Sequence, residues 1–152
     1  MTQTLSILLS VHIIIGVIGI IASYATLLWL FKKNISVRLL KISSITAFVA
    51  YITAWITGGY YYVVYYGSNV KPIIKDGPNP WAHSIIMETK EHIFLFLPLL
   101  AFVILLTVWF KGNNLQENRP LRNALALVVL ITLIISVFMA LGGVIISGSA
   151  RL

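Results

Sequence analysis

The stretch METKEHIF, Met87 to Phe94, puts two carboxylates, an ammonium and an imidazole immediately before the uncharged run LFLPLLAFVILLTVWF. Imidazole nitrogens bind metals or carry protons, carboxylates accept hydrogen bonds from them, and an ammonium pairs with anions. A second imidazole, His12, stands in another apolar run, LSVHIIIGVIG. Whether these groups meet depends on the elements that carry them.

Composition sets the environment of those elements. The chain is 59% hydrophobic and 10% charged, with a mean hydropathy of +0.96, far outside the range of a water-soluble domain. A helix needs about 20 mostly apolar residues to cross a hydrocarbon core. The sequence supplies that length four times, at Leu5 to Phe31, Ile42 to Tyr66, Ile85 to Phe110 and Ala124 to Ile146. The expected fold is therefore all-α, a four-helix up-down-up-down bundle within a lipid bilayer, forming a single transmembrane domain over residues 1–152. Turn and cap residues extend two of the spans. DGPNPW offers Asn79 as a cap with Pro80 in the first turn, and Asn118 with Pro120 repeats the pattern. Helices over about 5–31, 42–66, 80–110 and 120–147 follow, with Pro98 kinking the third or freeing one of its carbonyls.

Seven of the eleven Lys and Arg residues fall in the first and third loops: Lys32, Lys33, Arg38, Lys41, Lys111, Arg119 and Arg122. The positive-inside tendency makes that side cytoplasmic and puts both termini outside, in the plasma membrane. The net charge of +7 is accounted for by this topology, and no nucleic-acid partner is expected. Asn34 in NIS matches a glycosylation acceptor but falls on the cytoplasmic side. The amino-terminal run reads as a retained span and not as a cleaved signal peptide. The absence of cysteine excludes disulfides, thiolate ligands, iron–sulfur clusters and covalent haem attachment. In GGYYYVVYYG, Tyr62, Tyr65 and Tyr66 suit an interfacial belt with Trp81, opposite Trp29 and Trp109, while Tyr60 and Tyr61 sit deeper.

Depth brings the candidate residues together. His12 lies 19 residues from Phe31 and His92 lies 18 from Phe110, so both stand about 27–28 Å above the cytoplasmic boundary. In an up-down-up-down bundle the first and third helices are diagonal, and the two imidazoles are expected to face each other. At the same level the second helix carries Gly58 and Gly59 and the fourth carries Gly142 and Gly143, which leaves room between them. His12, Gly16, Gly19 and Ser23 share one helix face, and Tyr51, Trp55 and Gly59 share another. Glu88 sits at i−4 from His92 and is a candidate acceptor for its second nitrogen. Glu91 is a partner for Lys71 or Lys75, Lys90 is expected to point away from His92, and His83 is expected at the surface.

Paired histidines on facing helices, with room between them and cations above, resemble small four-helix b-type membrane cytochromes. That resemblance implies one haem b held by His12 and His92, lined by Gly16, Gly19, Trp55, Gly58, Gly59, Gly142 and Gly143. Its propionates would reach toward Lys71, Lys75 or Lys90, and Glu88 and Glu91 would stand behind the ligands. It further implies electron exchange with a quinol or an outer-side redox protein. Two alternatives remain open: a transition metal held by His12, His92 and a glutamate, and a cofactor-free accessory subunit packed against other membrane subunits. No Ser-His-Asp set, phosphate-binding loop or zinc-protease motif is present, so an independent catalytic activity is not expected.

Overall fold

A computed structural model describes residues 3–151, and all regular structure among them is helical. Helix α1 is Gln3–Phe31, α2 is Val37–Asp76, α3 is Ala82–Asn114 and α4 is Arg119–Ser149. Consecutive helices pack on each other and α4 closes back on α1, which leaves α1 diagonal to α3. Two loops, 32–36 and 115–118, lie at the end rich in Lys and Arg, the basic end. The loop 77–81 lies at the other, terminal end.

All four helices are long and apolar enough to cross a membrane. Their outer faces expose Ile13, Ile21, Val49, Leu99, Phe110, Ile134 and Val144, as expected where lipid replaces water. The chain is an integral multi-pass membrane protein. At the basic end the Lys32 ammonium lies 3.9 Å from the Trp29 ring centroid and the Lys41 ammonium 4.9 Å from that of Trp109. Such cation–π contacts suit a membrane boundary.

Local chemistry explains the helix ends. Asn118 caps α4 by accepting from Leu121 N–H at 3.0 Å, with Pro120 in the first turn. Helix α2 begins five residues before the expected Ile42, because Ser36 caps it and accepts from Leu39 N–H. Asn79 instead takes the Trp81 indole N–H on its side chain, while its carbonyl accepts from Ala82 N–H. In α3 the α-helical pattern breaks at Phe94 and Leu95. These residues immediately precede the turn of Pro98, which has no N–H to give to the Phe94 carbonyl.

The second helix does not stop at Tyr66. It continues as a π-helix over Tyr62–Val70 and returns to α geometry over Lys71–Asp76, since no strong breaker occurs before Gly77 and Pro78. Its 40 residues span up to about 60 Å, well beyond a hydrocarbon core of about 30 Å. Helix α3 starts with a second π-helical stretch, Ala82–Met87. The two irregular segments pack together through Tyr66, Ile74 and Ala82, with Ile146 of α4. Wide turns of this kind often accompany functional sites.

Three layers fill the interior. Leu30, Leu40, Val108, Leu115, Leu125 and Val129 form a dry plug at the basic end. Above it, Ala22, Ala47 and Ala101 let the helices approach closely around Tyr51 and Leu97. The Tyr51 ring lies on Gly19, where an added Cβ would stand 2.7 Å from it. Its hydroxyl is 2.9 Å from Ser23 Oγ and within reach of Ser136. Thr26 donates to Ser43 Oγ at 2.8 Å one turn further down. Tyr51→Phe is expected to cost about 0.5–1.5 kcal/mol, read as a lower midpoint in thermal unfolding of the detergent-solubilised protein.

Candidate functional site

His12 is a partly buried polar group in the terminal half of the bundle. Its Nδ1 lies 2.8 Å from the Ala54 carbonyl oxygen on α2. A carbonyl only accepts, so Nδ1–H donates and the neutral ring presents Nε2 as a free lone pair. Gly58 makes this possible. A Cβ there would stand 2.5 Å from both Nδ1 and Cε1 of the ring. The glycine pair on α2 is thus asymmetric, because Gly59 has no heavy atom within 4 Å of its missing Cβ. Gly16, one turn along α1 from His12, also borders open space, whereas Gly19 is covered by Tyr51.

Helix α3 presents different residues to the interior from those expected. His92 is exposed, and its Nδ1 donates at 2.6 Å to the Glu88 backbone carbonyl within its own helix. The Glu88 carboxylate, also exposed, does not hold the ring. His92 and Glu88 line a shallow groove of about 410 Å³ on the outside of α3, with Ser84, Ile85, Thr89 and Ile93. His12 and His92 therefore do not form a facing pair. The register explains the difference: Leu97, Pro98, Ala101, Ile104 and Val108 fix the inward face of α3, and counting back in steps of three and four reaches Phe94, Glu91, Lys90 and Met87, passing over His92.

Lys90 occupies the place assigned to the second histidine. Its stem packs on Gly142, where a Cβ would lie 3.1 Å from Cδ, and its Nζ would be 3.4 Å from a Cβ on Gly143. The expectation that Lys90 points away from the interior is corrected accordingly. Its charge reaches His12 across the bundle diagonal. Glu91 is partly buried and does not pair with Lys71 or Lys75. Its Oε1 is shielded from solvent with no hydrogen-bond partner, while the carboxylate is within reach of the Tyr62 hydroxyl. Trp55 is 40% exposed and leans on Phe94, with centroids 6.2 Å apart, so it flanks the site from outside and does not floor it.

The sequence places Tyr66 in the interfacial belt and His83 at the surface, whereas both are core residues. His83 is 1% exposed and Tyr66 is 3% exposed, with His83 Nδ1 3.0 Å from the Tyr66 hydroxyl. Tyr60, expected deeper, is exposed instead. The π-helical register of both segments shifts which side chains face inward, a change that an α-helical wheel cannot anticipate. The signal available beforehand was only the density of tyrosine beside a histidine near a Gly-Pro turn.

Among the described residues, no cluster of three or more His, Asp or Glu side chains is placed to hold a metal ion. His12 Nε2 and Lys90 Nζ, from diagonal helices, have no hydrogen bond among the described residues, and their side chains pack against Gly58 on α2 and against Gly142 and Gly143 on α4, respectively. Imidazole and unprotonated amine are both nitrogen donors suited to a first-row metal. Comparison with protein-family models, curated proteins and solved structures returns no match.

Proposed function

We propose that this chain is a membrane-embedded electron-transfer protein or subunit that binds one haem b in the terminal half of its bundle, which His12 and Lys90 would hold. The observation that carries this reading is the His12 tautomer. A backbone carbonyl holds Nδ1–H and leaves Nε2 free, the outer-shell arrangement that orients ligating histidines in metal sites. Gly16 borders open space one turn along α1 from that ring, and Lys90 reaches in over Gly142 and Gly143. Lys71 and Lys75 supply positive charge at the same end for the propionates. The haem would supply one-electron transfer, and the chain's part is to fix the ligands and exclude water. Its electron partner is a quinol or a redox protein on the terminal side.

The testing experiment compares haem content in His12→Ala and His92→Ala. The first is expected to lose the Soret and alpha bands, and the second to keep them. Loss in His92→Ala with retention in His12→Ala would refute the assignment. Stoichiometric zinc, copper or iron without a porphyrin spectrum would replace haem by a bare metal.

The basic end faces the cytoplasm on this account, in the plasma membrane. Since the chain has no cysteine, single cysteines at Lys33, Pro78 and Asn114 report sidedness directly. An impermeant thiol reagent applied to intact cells should label the Pro78 position and spare the other two, and the reverse pattern would move the site to the inner side.

One observation favours a cofactor-free accessory subunit instead. Glu88, Thr89 and His92 face outward along a single groove on α3, where a polar helix of another membrane subunit would satisfy them. A colourless protein that co-purifies with a partner, and loses it in His92→Ala, would select this alternative.

A further inference from the structure

The Tyr66–His83 pair belongs to neither of these readings. The chain has seven tyrosines, and two of them face a base. Tyr66 lies 3.0 Å from His83 Nδ1 with both side chains buried. Tyr62 reaches the Glu91 carboxylate and stacks on Tyr66 with centroids 5.3 Å apart and an interplanar angle of 23°. Between a phenol and a neutral imidazole the phenol is the more acidic donor, so Tyr66 O–H donates to Nδ1 and His83 carries its own proton on Nε2. The separation is within the range in which a proton transfers directly. Charges of both signs surround His83: Glu88 and Glu91 on α3, and Lys71 and Lys75 on α2.

These features have a chemical consequence. Removing an electron from a phenol makes its O–H strongly acidic, and the resulting radical persists only if the proton has somewhere to go. We propose that Tyr66 and His83 form a redox-active pair, in which a high-potential metal complex at the terminal-end surface takes one electron from Tyr66 while the phenol proton passes to His83 Nδ1. The metal complex is reduced by one electron, the Tyr66 O–H bond breaks and an Nδ1–H bond forms. The products are a neutral tyrosyl radical and an imidazolium. The stacked Tyr62 can then return an electron to Tyr66 as its own proton passes to Glu91, while the imidazolium gives Tyr66 its proton back. The hole thereby moves one helical turn toward the partly exposed side of α2. Burial protects the radical from solvent reductants, and the π-helical turns of α2 and α3 set the two rings opposite each other.

The inference does not depend on haem binding and is tested on the full chain in detergent. A soluble ruthenium(II) tris-bipyridine, flash-oxidised to ruthenium(III) by an external quencher, serves as the oxidant, and electron paramagnetic resonance reads the product. Wild type is expected to give a tyrosyl signal whose formation slows in D₂O. Tyr66→Phe should lose the initial radical, and Tyr62→Phe should keep the signal confined to Tyr66. His83→Gln, which can accept the hydrogen bond but not hold the proton, should slow formation markedly. If His83→Gln does not fold, selective ring deuteration of tyrosine combined with the wild-type D₂O effect decides the matter. A signal of undiminished size in folded Tyr66→Phe, a radical on tryptophan, or formation indifferent to D₂O would overturn the proposal.

Discussion

Leucine at Gly58 is expected to cost about 1–3 kcal/mol of stability and to abolish ligand binding by His12, whereas leucine at Gly59 leaves both nearly unchanged. The two positions are adjacent in sequence and equally small, so composition cannot separate them. Geometry does, because a Cβ at Gly58 would overlap the His12 ring at 2.5 Å and one at Gly59 meets nothing within 4 Å. The ring cannot yield by sliding without giving up the bond from Nδ1–H to the Ala54 carbonyl. Even alanine at Gly58 must displace it. The two residues are in contact, so their effects should couple: in a His12→Ala background, Gly58→Ala is expected to regain most of its cost. Thermal unfolding of the four variants in one detergent measures that cycle. Equal losses from Gly58→Leu and Gly59→Leu would mean that the ring does not sit where the Ala54 contact places it.

Lys90→Ala is expected to change the character of the site without emptying it. Where His12 and Lys90 together would hold a haem, removing the amine takes away one of the two nitrogen donors, and the optical spectrum should pass from low-spin to high-spin form. Haem content should fall less than in His12→Ala. Lys90→Met, which keeps the stem over Gly142 and Gly143 while removing the charge, separates packing from ligation, since a thioether is a different and weaker donor with its own spectrum. His92→Ala serves as the matched control on the opposite face of the same helix. A low-spin spectrum identical in Lys90→Ala and wild type would remove Lys90 from the site.

The all-helical bundle, its up-down order and the diagonal relation of α1 to α3 were legible because each rests on long apolar runs and short polar loops, signals that survive any local irregularity. The common depth of His12 and Gly58 was legible too, since depth along a helix depends only on counting. Rotation was not. The choice between His92 and Lys90 turns on where the inward face of α3 points, which is set by the packing of Leu97, Pro98, Ala101, Ile104 and Val108 and not by depth. Taking His92 as the inward residue turns Lys90 outward, about 200° round an α-helical wheel, yet its apolar stem is received by two glycines on α4. The burial of His83 and Tyr66 escaped for a related reason. Both lie in π-helical turns, where 3.6-residue periodicity no longer assigns faces, and tyrosine near a membrane boundary ordinarily reads as an interfacial anchor.

The reduced-minus-oxidised optical spectrum of the wild-type chain, purified in mild detergent from a haem-replete host, tests the central claim most directly. A b-type alpha band with about one haem per chain, extractable by acidified organic solvent because nothing attaches it covalently, is the predicted result. A colourless, folded protein that takes up no added hemin would contradict it.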